Sequence, residues 1–308
     1  MSGKVKPFKV KYICERKGEK LNWIESISRA IEYIENNLTN DLKIEDIASY
    51  SYISSFYFQK GFSIICGYGV GEYIKNRRLS MAGKEVLNTN KRIIDIAMEY
   101  CYDSQDSFTK AFKRFHGFTP TEVRNNGATI KDFAPLKVNL ILKGGYIMEY
   151  KIKEKEAFKV IGLKESFKYE SAEQNVPKLW KNFFMKSSFS KINAKYAINI
   201  DTTLSGELFD YVIGDDYNSV EKIPKDFEII EIPKLTWAIF PCIGKASESI
   251  REINQKIFKE WLPNSNDYEI AEGYNIEYYS NPKEYKKGIN DEKYYCEIWL
   301  PIKKKEDK

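Results

Sequence analysis

The chain has 308 residues, of which 43% are hydrophobic and 30% charged, and this composition is typical of a globular protein long enough for two domains. No apolar run approaches the roughly 20 residues of a membrane-spanning helix, so we expect a soluble, cytoplasmic protein with no membrane partner. The net charge of +5 is unevenly distributed: residues 1–145 hold 23 Lys and Arg against 16 Asp and Glu, and the remainder holds 26 against 28. The basic first half favours a polyanionic partner.

The cysteine and histidine content argues against metal and thiol chemistry. The five cysteines are scattered and include no CxxC pair, and His116 is the only histidine. An ordinary zinc site cannot be assembled from this set. We therefore expect reduced thiols, no metal and no cofactor.

The first part of the chain is predicted to be a short extension followed by a helical domain. Residues 1–20 are polar and basic and show no periodicity. From Trp23 apolar residues recur at helical spacing until the helix-ending pair Asn36 and Asn37, and helical patterning then continues from Leu42 to about Arg124. We predict an all-α domain over residues 21–126.

Two helix-turn-helix units follow one another within this domain. In each unit an apolar helix, a tight turn and a second helix with a polar face appear in the order that DNA reading requires. Ala97 lies 49 residues after Ala48, and three later pairs are 50 residues apart, namely Phe58 and Phe108, Phe62 and Phe112, and Gly67 and Gly117. The offset, with one extra residue in the second turn, indicates a duplicated unit. Two such units can face successive major grooves.

The second helix of each unit is predicted to read DNA. Ser54 is the expected N-cap in the first unit and Asp103 in the second. Helical spacing places the phenylalanine side chains inward and polar side chains outward. In a single copy this pattern is also typical of an ordinary helix with one face in solvent. The predicted base-reading residues are Phe56, Gln59, Lys60, Gln105, Asp106, Thr109 and Lys110. The predicted phosphate contacts are Ser63, Arg77, Arg78, Lys113, Arg114 and Arg124.

Residues 31–124 resemble the DNA-binding domain of AraC/XylS-type regulators, through YIKNRRL and IIDIAMEYCYDSQDSFTKAFKRFHGFTP and the final Arg124. The order of the domains is similar to that of the Rob-like type. The resemblance implies double-stranded promoter DNA and RNA polymerase as partners, and it favours activation over repression. Lys60 and Lys110 stand where the family often has arginine, so we expect weaker recognition of guanine. The operator sequence therefore cannot be assumed to match that of relatives. The Asp106 carboxylate is expected either to accept a hydrogen bond from cytosine or to repel phosphate groups.

The second half has linker composition over residues 127–145 and then changes character. Seven strand-like runs between Phe158 and Leu300 are interrupted by two helices, one starting near Pro177 and one carrying Ile250 to Trp261. We predict an α+β domain over residues 146–308.

This domain resembles the GyrI-like effector-binding domain, through EAFKVIGL, TWAIFPCIGKASESI and YYCEIWLPI. The resemblance implies two pseudo-symmetric β-α-β-β halves around one concave pocket. The chain would thus be multidomain, with two helix-turn-helix units joined by a long helix and followed by a sensor of the kind used in multidrug sensing.

Strand alternation suggests which residues line the pocket. It places Glu277 with Tyr279 on one face and Glu297 with Trp299 on one face. A carboxylate beside aromatic rings suits an apolar cation. Tyr211 and Trp237 are weaker candidates. The sequence leaves open whether the aromatics are core residues, whether the carboxylates face solvent, and which carboxylate lies deeper.

These features favour a transcription regulator, binding as a monomer or weak dimer, that senses a small cationic or aromatic molecule. No catalytic constellation is visible, so we do not expect an enzyme. Two alternatives remain for the second domain, a small-molecule hydrolase and a protein-interaction module.

Overall fold

The computed structural model describes residues 23–127, 129–137, 148–187, 192–201, 208–217, 223–265 and 267–305. The predicted extension, residues 1–20, lies outside these ranges, as does much of the predicted linker. In the ranges given, no helix is long and apolar enough to cross a membrane. The division into residues 21–126, 127–145 and 146–308 stays a prediction.

The first part of the chain is all-helical. Residues 23–127 form seven helices, α1 (Trp23–Asn36), α2 (Ile44–Tyr50), α3 (Ser55–Cys66), α4 (Val70–Asn88), α5 (Ile93–Glu99), α6 (Gln105–His116) and α7 (Pro120–Asn126). Helices α2 and α3 form the first helix-turn-helix unit, α5 and α6 form the second, and α4 joins them. Phe58, Phe62, Phe108 and Phe112 are fully buried, as their spacing predicts.

The two units repeat each other in detail. Ser54 caps α3 by accepting from the Tyr57 backbone N–H at 3.3 Å, and Ser104 caps α6 by accepting from that of Ser107 at 3.2 Å. The prediction that Asp103 is the N-cap is therefore wrong. The extra residue of the second turn lies before Ser104, so Ser104 is the residue equivalent to Ser54. Both helices end at left-handed glycines, Gly67 and Gly117, with φ of 81° and 96°.

Part of the predicted linker packs on the first domain. The Phe133 N–H donates to the Ser80 hydroxyl at 3.0 Å, and the Leu136 N–H donates to the Tyr73 hydroxyl at 3.0 Å. These bonds hold residues 129–137 along α4.

The described residues from 148 to 305 form one antiparallel sheet and two main helices. The strands are β1 (Lys151–Lys155), β2 (Phe158–Lys168), β3 (Tyr196–Ile200), β4 (Leu208–Asp216), β5 (Glu228–Ile232), β6 (Leu235–Ile243), β7 (Tyr268–Ile270), β8 (Tyr274–Tyr279) and β9 (Tyr295–Lys304). Helix α8 spans Ala172–Ser187 and α9 spans Ala246–Lys256, which continues through a π-helical turn (Ile257–Trp261) into α10 (Leu262–Asn264).

The sheet has a pseudo-twofold arrangement. Its order is β1-β6-β9-β8-β3-β4-β2-β5, with β7 beside β9. The half β6-α9-β8-β9 and the half β2-α8-β3-β4 pair their strands in the same order and meet where β3 pairs β8. The predicted pair of β-α-β-β halves is confirmed.

The two faces of the sheet bury different cores. One face packs against α8, α9 and the first domain. The other curls around its own aromatic core, where the Phe158 and Trp299 rings lie 6.5 Å apart although three strands separate β2 from β9. Two side chains of the sheet can therefore belong to the same site only if they project from the same face.

Two sequence expectations about elements are corrected. Helix α8 begins at Ala172, and Pro177 lies inside it, because a 3-10 turn at Tyr169–Ser171 runs directly into the helix. Strands β1 and β7 were absent from the predicted set. Strand β1 has the sequence KIKEK and is almost entirely exposed, so it lacks the apolar alternation on which strand prediction depends.

Candidate DNA interface and effector site

Helix α6 presents its predicted reading face to solvent. Gln105, Asp106 and Lys110 are exposed and Thr109 is half-buried, while the inward side of the helix packs into the core. Lys113 and Arg114 are exposed on the last turns of the helix. The second unit thus offers polar side chains for base edges and basic ones for phosphates.

Helix α3 does not present the equivalent face. Only 2% of Phe56 and 8% of Gln59 is exposed, and Lys60 is half-buried, although Ser63 remains exposed. The expectation that this face is open is wrong for this structure. The reason is packing, since the second domain covers it.

The contacts over α3 involve side chains and backbone of both domains. The Tyr57 hydroxyl donates to the Tyr274 carbonyl at 2.5 Å. The Lys60 ammonium donates to the Asn275 side-chain oxygen. The Phe56 ring lies 6.3 Å from that of Tyr169. Helix α3 is therefore docked across the start of β8.

Three of the predicted phosphate-binding arginines have structural partners. Arg77 is 5% exposed and forms an ion pair with Glu35 at 2.8 Å. Arg78 donates to the carbonyls of Leu38 at 2.8 Å and Asn40 at 2.6 Å. Arg124 donates to the Val86 carbonyl at 3.4 Å. These guanidinium groups hold helices and loops together, and their contacts with phosphate stay predictions.

Glu277 lies in a group of aromatic residues on the helical face of the sheet. The Tyr279 hydroxyl donates to Glu277 Oε2 at 2.8 Å. The Trp180 ring of α8 stands edge-on to that of Tyr279 at 5.7 Å, and its Nε1 donates to the Tyr211 hydroxyl at 3.2 Å. Burial and the Glu277 carboxylate both raise the pKa of Tyr211, so its hydroxyl stays neutral.

Glu297 lies on the opposite face of the sheet. It accepts hydrogen bonds from Lys151 at 2.8 Å, Tyr295 at 2.6 Å and Trp299 Nε1 at 2.6 Å. Burial opposes its ionisation, but these bonds outweigh it and hold the pKa of Glu297 below its ordinary value. This carboxylate already has a full set of partners.

The six predicted effector residues therefore fall into two groups. Glu277 of β8 pairs with Ile298 of β9, and the next residue of β8, Tyr278, pairs with Glu297. The two glutamate side chains therefore project from opposite faces of the sheet. Glu277, Tyr279 and Tyr211 come together, whereas Trp299 and Trp237, whose rings are 6.0 Å apart, belong with Glu297 in the curled core.

Comparison with known proteins identifies both halves. Residues 47–126 match a family described as a helix-turn-helix domain, and residues 151–302 match one described as an integron-associated effector binding protein. The HTH-type transcriptional activator AarP of Providencia stuartii is 41% identical over 111 residues, covering 36% of this chain and 82% of AarP. The chain belongs to the AraC/XylS family of transcription regulators.

A second relative agrees with this assignment. The regulatory protein SoxS of Salmonella typhimurium is 36% identical over 99 residues, which are 32% of this chain and 92% of SoxS. The structure of SAV2435 bound to tetraphenylphosphonium aligns with 51% of this chain and 94% of its own, at 17% identity and a TM-score of 0.43. As an AraC/XylS member the chain is a DNA-binding transcription regulator, and its second half is similar to effector-binding proteins.

Sequence reasoning left open whether Trp180 is a core aromatic or a ligand contact, and it missed Asn275 as a neighbour of the site and the docking of α3. The signal for docking was present. Helix α3, SFYFQKGFSIIC, has one charged residue and apolar side chains all round, which is typical of a helix buried on every side. Helix α6, QDSFTKAFKRFH, keeps an uninterrupted polar face.

Proposed function

We propose that the second domain senses a lipophilic cation and that the first domain activates the promoters it binds. The observation that carries the sensing half is the Glu277 carboxylate, which is half-buried among Tyr279, Tyr211 and Trp180. A carboxylate held away from water favours a counter-charge, and aromatic rings around it attract an organic cation through their faces while excluding water from it.

The experiment compares two glutamates with two probes. Tetraphenylphosphonium, a cation with four phenyl rings, is titrated into the full chain in sodium buffer by calorimetry, and tetraphenylborate serves as an anion of the same shape. We expect Glu277→Gln to weaken cation binding at least ~10-fold, about 1.4 kcal/mol, and Glu297→Gln to leave it nearly unchanged. Equal binding of both ions, or equal effects of both substitutions, would contradict this assignment.

For DNA, we propose that Gln105, Asp106, Thr109 and Lys110 read bases and that Lys113 and Arg114 bind phosphates. The support is the exposure of these side chains along α6. We further propose binding as a monomer or weak dimer, since one chain carries both units, and activation through RNA polymerase, in keeping with the name of AarP.

Matched lysine variants test these roles. A preferred duplex is first selected from random sequences, and affinity is measured by fluorescence anisotropy at several salt concentrations. Lys110→Ala should lose about 1–3 kcal/mol on the selected duplex and little on scrambled DNA. Lys113→Ala should weaken both equally and lower the salt slope by about 1. A uniform loss for Lys110→Ala would make it a phosphate contact instead.

A further inference from the structure

The two reading helices differ in their access to DNA. Lys60 and Lys110 occupy equivalent positions, 50 residues apart in the repeat, but Lys110 is exposed whereas Lys60 is half-buried against β8. A major groove needs the outer face of a recognition helix to be free. While α3 is docked, only α6 can read bases.

The docked arrangement depends on a close approach of three elements. At Gly61, in the middle of α3, an added Cβ would lie 2.2 Å from Trp23 Cζ2 of α1 and 3.1 Å from Phe258 Cδ1 of the second domain. The Trp23 and Phe258 rings themselves are 5.7 Å apart. Glycine thus allows the second domain to pack directly on the first unit.

Lys60 also lies beside the proposed effector site. Its ammonium donates to Asn275, and Asn275 and Glu277 are two residues apart on β8, so both project from the same face. Burial lowers the pKa of Lys60 to about 8, and the Glu277 carboxylate partly offsets that effect. The docked helix therefore brings a positive charge toward the carboxylate that the effector would use.

We infer that Lys60 is an internal ligand of the effector site, and that a bound cation displaces it and frees α3 to read DNA. This inference rests on the proposed cation site at Glu277. A bound cation would place a second positive charge near the half-buried Glu277 carboxylate, and its repulsion of the Lys60 ammonium disfavours the docked position of Lys60. A lysine that is buried at a cost to its charge is a weak ligand, which a cation with a low desolvation cost can replace.

Lysine labelling of the full chain tests this displacement. The protein is treated with a limiting amount of acetic anhydride, and acetylation of each lysine is followed by mass spectrometry with and without saturating tetraphenylphosphonium. Lys110 is the matched internal control. We expect Lys60 to react at least ~5-fold more slowly than Lys110 without the cation and to approach the rate of Lys110 with it, since typical coupling between sites is about 5- to 150-fold.

The outcomes separate this inference from the proposed function. If calorimetry shows the cation bound through Glu277 while Lys60 labelling stays unchanged, the displacement is wrong and the effector site stands. If the cation does not bind at all, both are overturned. In Glu277→Gln the labelling of Lys60 should no longer respond to the cation.

A reciprocal measurement uses the lysine itself. Lys60→Ala shortens the side chain so that it no longer reaches β8, and alanine favours the helix. With its competitor removed, the site should bind tetraphenylphosphonium at least ~5-fold more tightly than in the unchanged protein. Lys110→Ala should leave the affinity unchanged. Equal or weaker binding by Lys60→Ala would overturn the competition.

Discussion

His116 is held as a neutral imidazole by two hydrogen bonds of opposite sense. Its Nε2 lies 2.9 Å from the Leu79 carbonyl and must donate, and its Nδ1 accepts from the Lys131 N–H at 3.1 Å. A proton on Nδ1 would break the second bond, which ties the segment after α7 to the first domain. Burial also lowers the pKa of His116.

This arrangement makes the first domain sensitive to acid. A histidine whose pKa in the folded protein is below its ordinary value of about 6.5 contributes stability above that value, and the contribution is lost as the pH falls below it. We expect the free energy of unfolding in urea to fall between pH 7 and pH 5, and the dependence to be flatter in His116→Gln. Because the chain has one histidine, its NMR titration is unambiguous, and a pKa at or above the ordinary value would contradict this prediction.

Arg77 and Lys113 were predicted to share one role, but they have different environments. Arg77 is bound by Glu35, which is 21% exposed, whereas Lys113 is exposed on α6. Arg77→Ala should lower the free energy of unfolding by about 3 kcal/mol, because it leaves a carboxylate without its partner. Lys113→Ala should change it by less than about 0.5 kcal/mol. Similar stabilities of the two variants in urea would show that the Arg77 pair is not structural.

At the scale of elements, α3 and α6 show what local patterns can predict. The repeat of caps, turns and glycines fixes both helices and their inward phenylalanines, because these features depend on residues close in the chain. Whether the outer face meets solvent, DNA or another domain depends on distant residues. Gly61 is the residue of α3 at which this packing differs from a free helix, since a glycine inside a helix lowers its stability and here permits a close approach.

Gly61→Ala tests that close approach. Helix propensity alone would stabilise α3 by about 1 kcal/mol, but the new Cβ would meet Trp23 at 2.2 Å. We expect a lower free energy of unfolding in urea and faster labelling of Lys60. The Trp23 ring must move, and the second domain then no longer packs closely on α3. Ser63→Ala, on the exposed side of the same helix, should show neither effect. A more stable Gly61→Ala with protected Lys60 would contradict this role.

At the scale of the whole molecule, the two duplications could be predicted and the packing between the domains could not. The internal repeat predicted the two helix-turn-helix units, and the resemblance to the GyrI-like domain implied the two β-α-β-β halves. They did not anticipate that Glu277 and Glu297 lie on opposite faces, because that depends on the register in which β8 pairs β9. Nor did they predict Lys60 beside Asn275, a contact between residues 215 positions apart.

The most direct test of coupling between the domains is the affinity of the full chain for its selected duplex with and without saturating tetraphenylphosphonium. We predict that the cation tightens binding at least ~5-fold, because it releases α3 as a second reading helix. The gain should vanish in Glu277→Gln and on a duplex in which the half bound by α3 is scrambled. Unchanged affinity in the unaltered protein, at cation concentrations where calorimetry shows binding, would contradict the coupling.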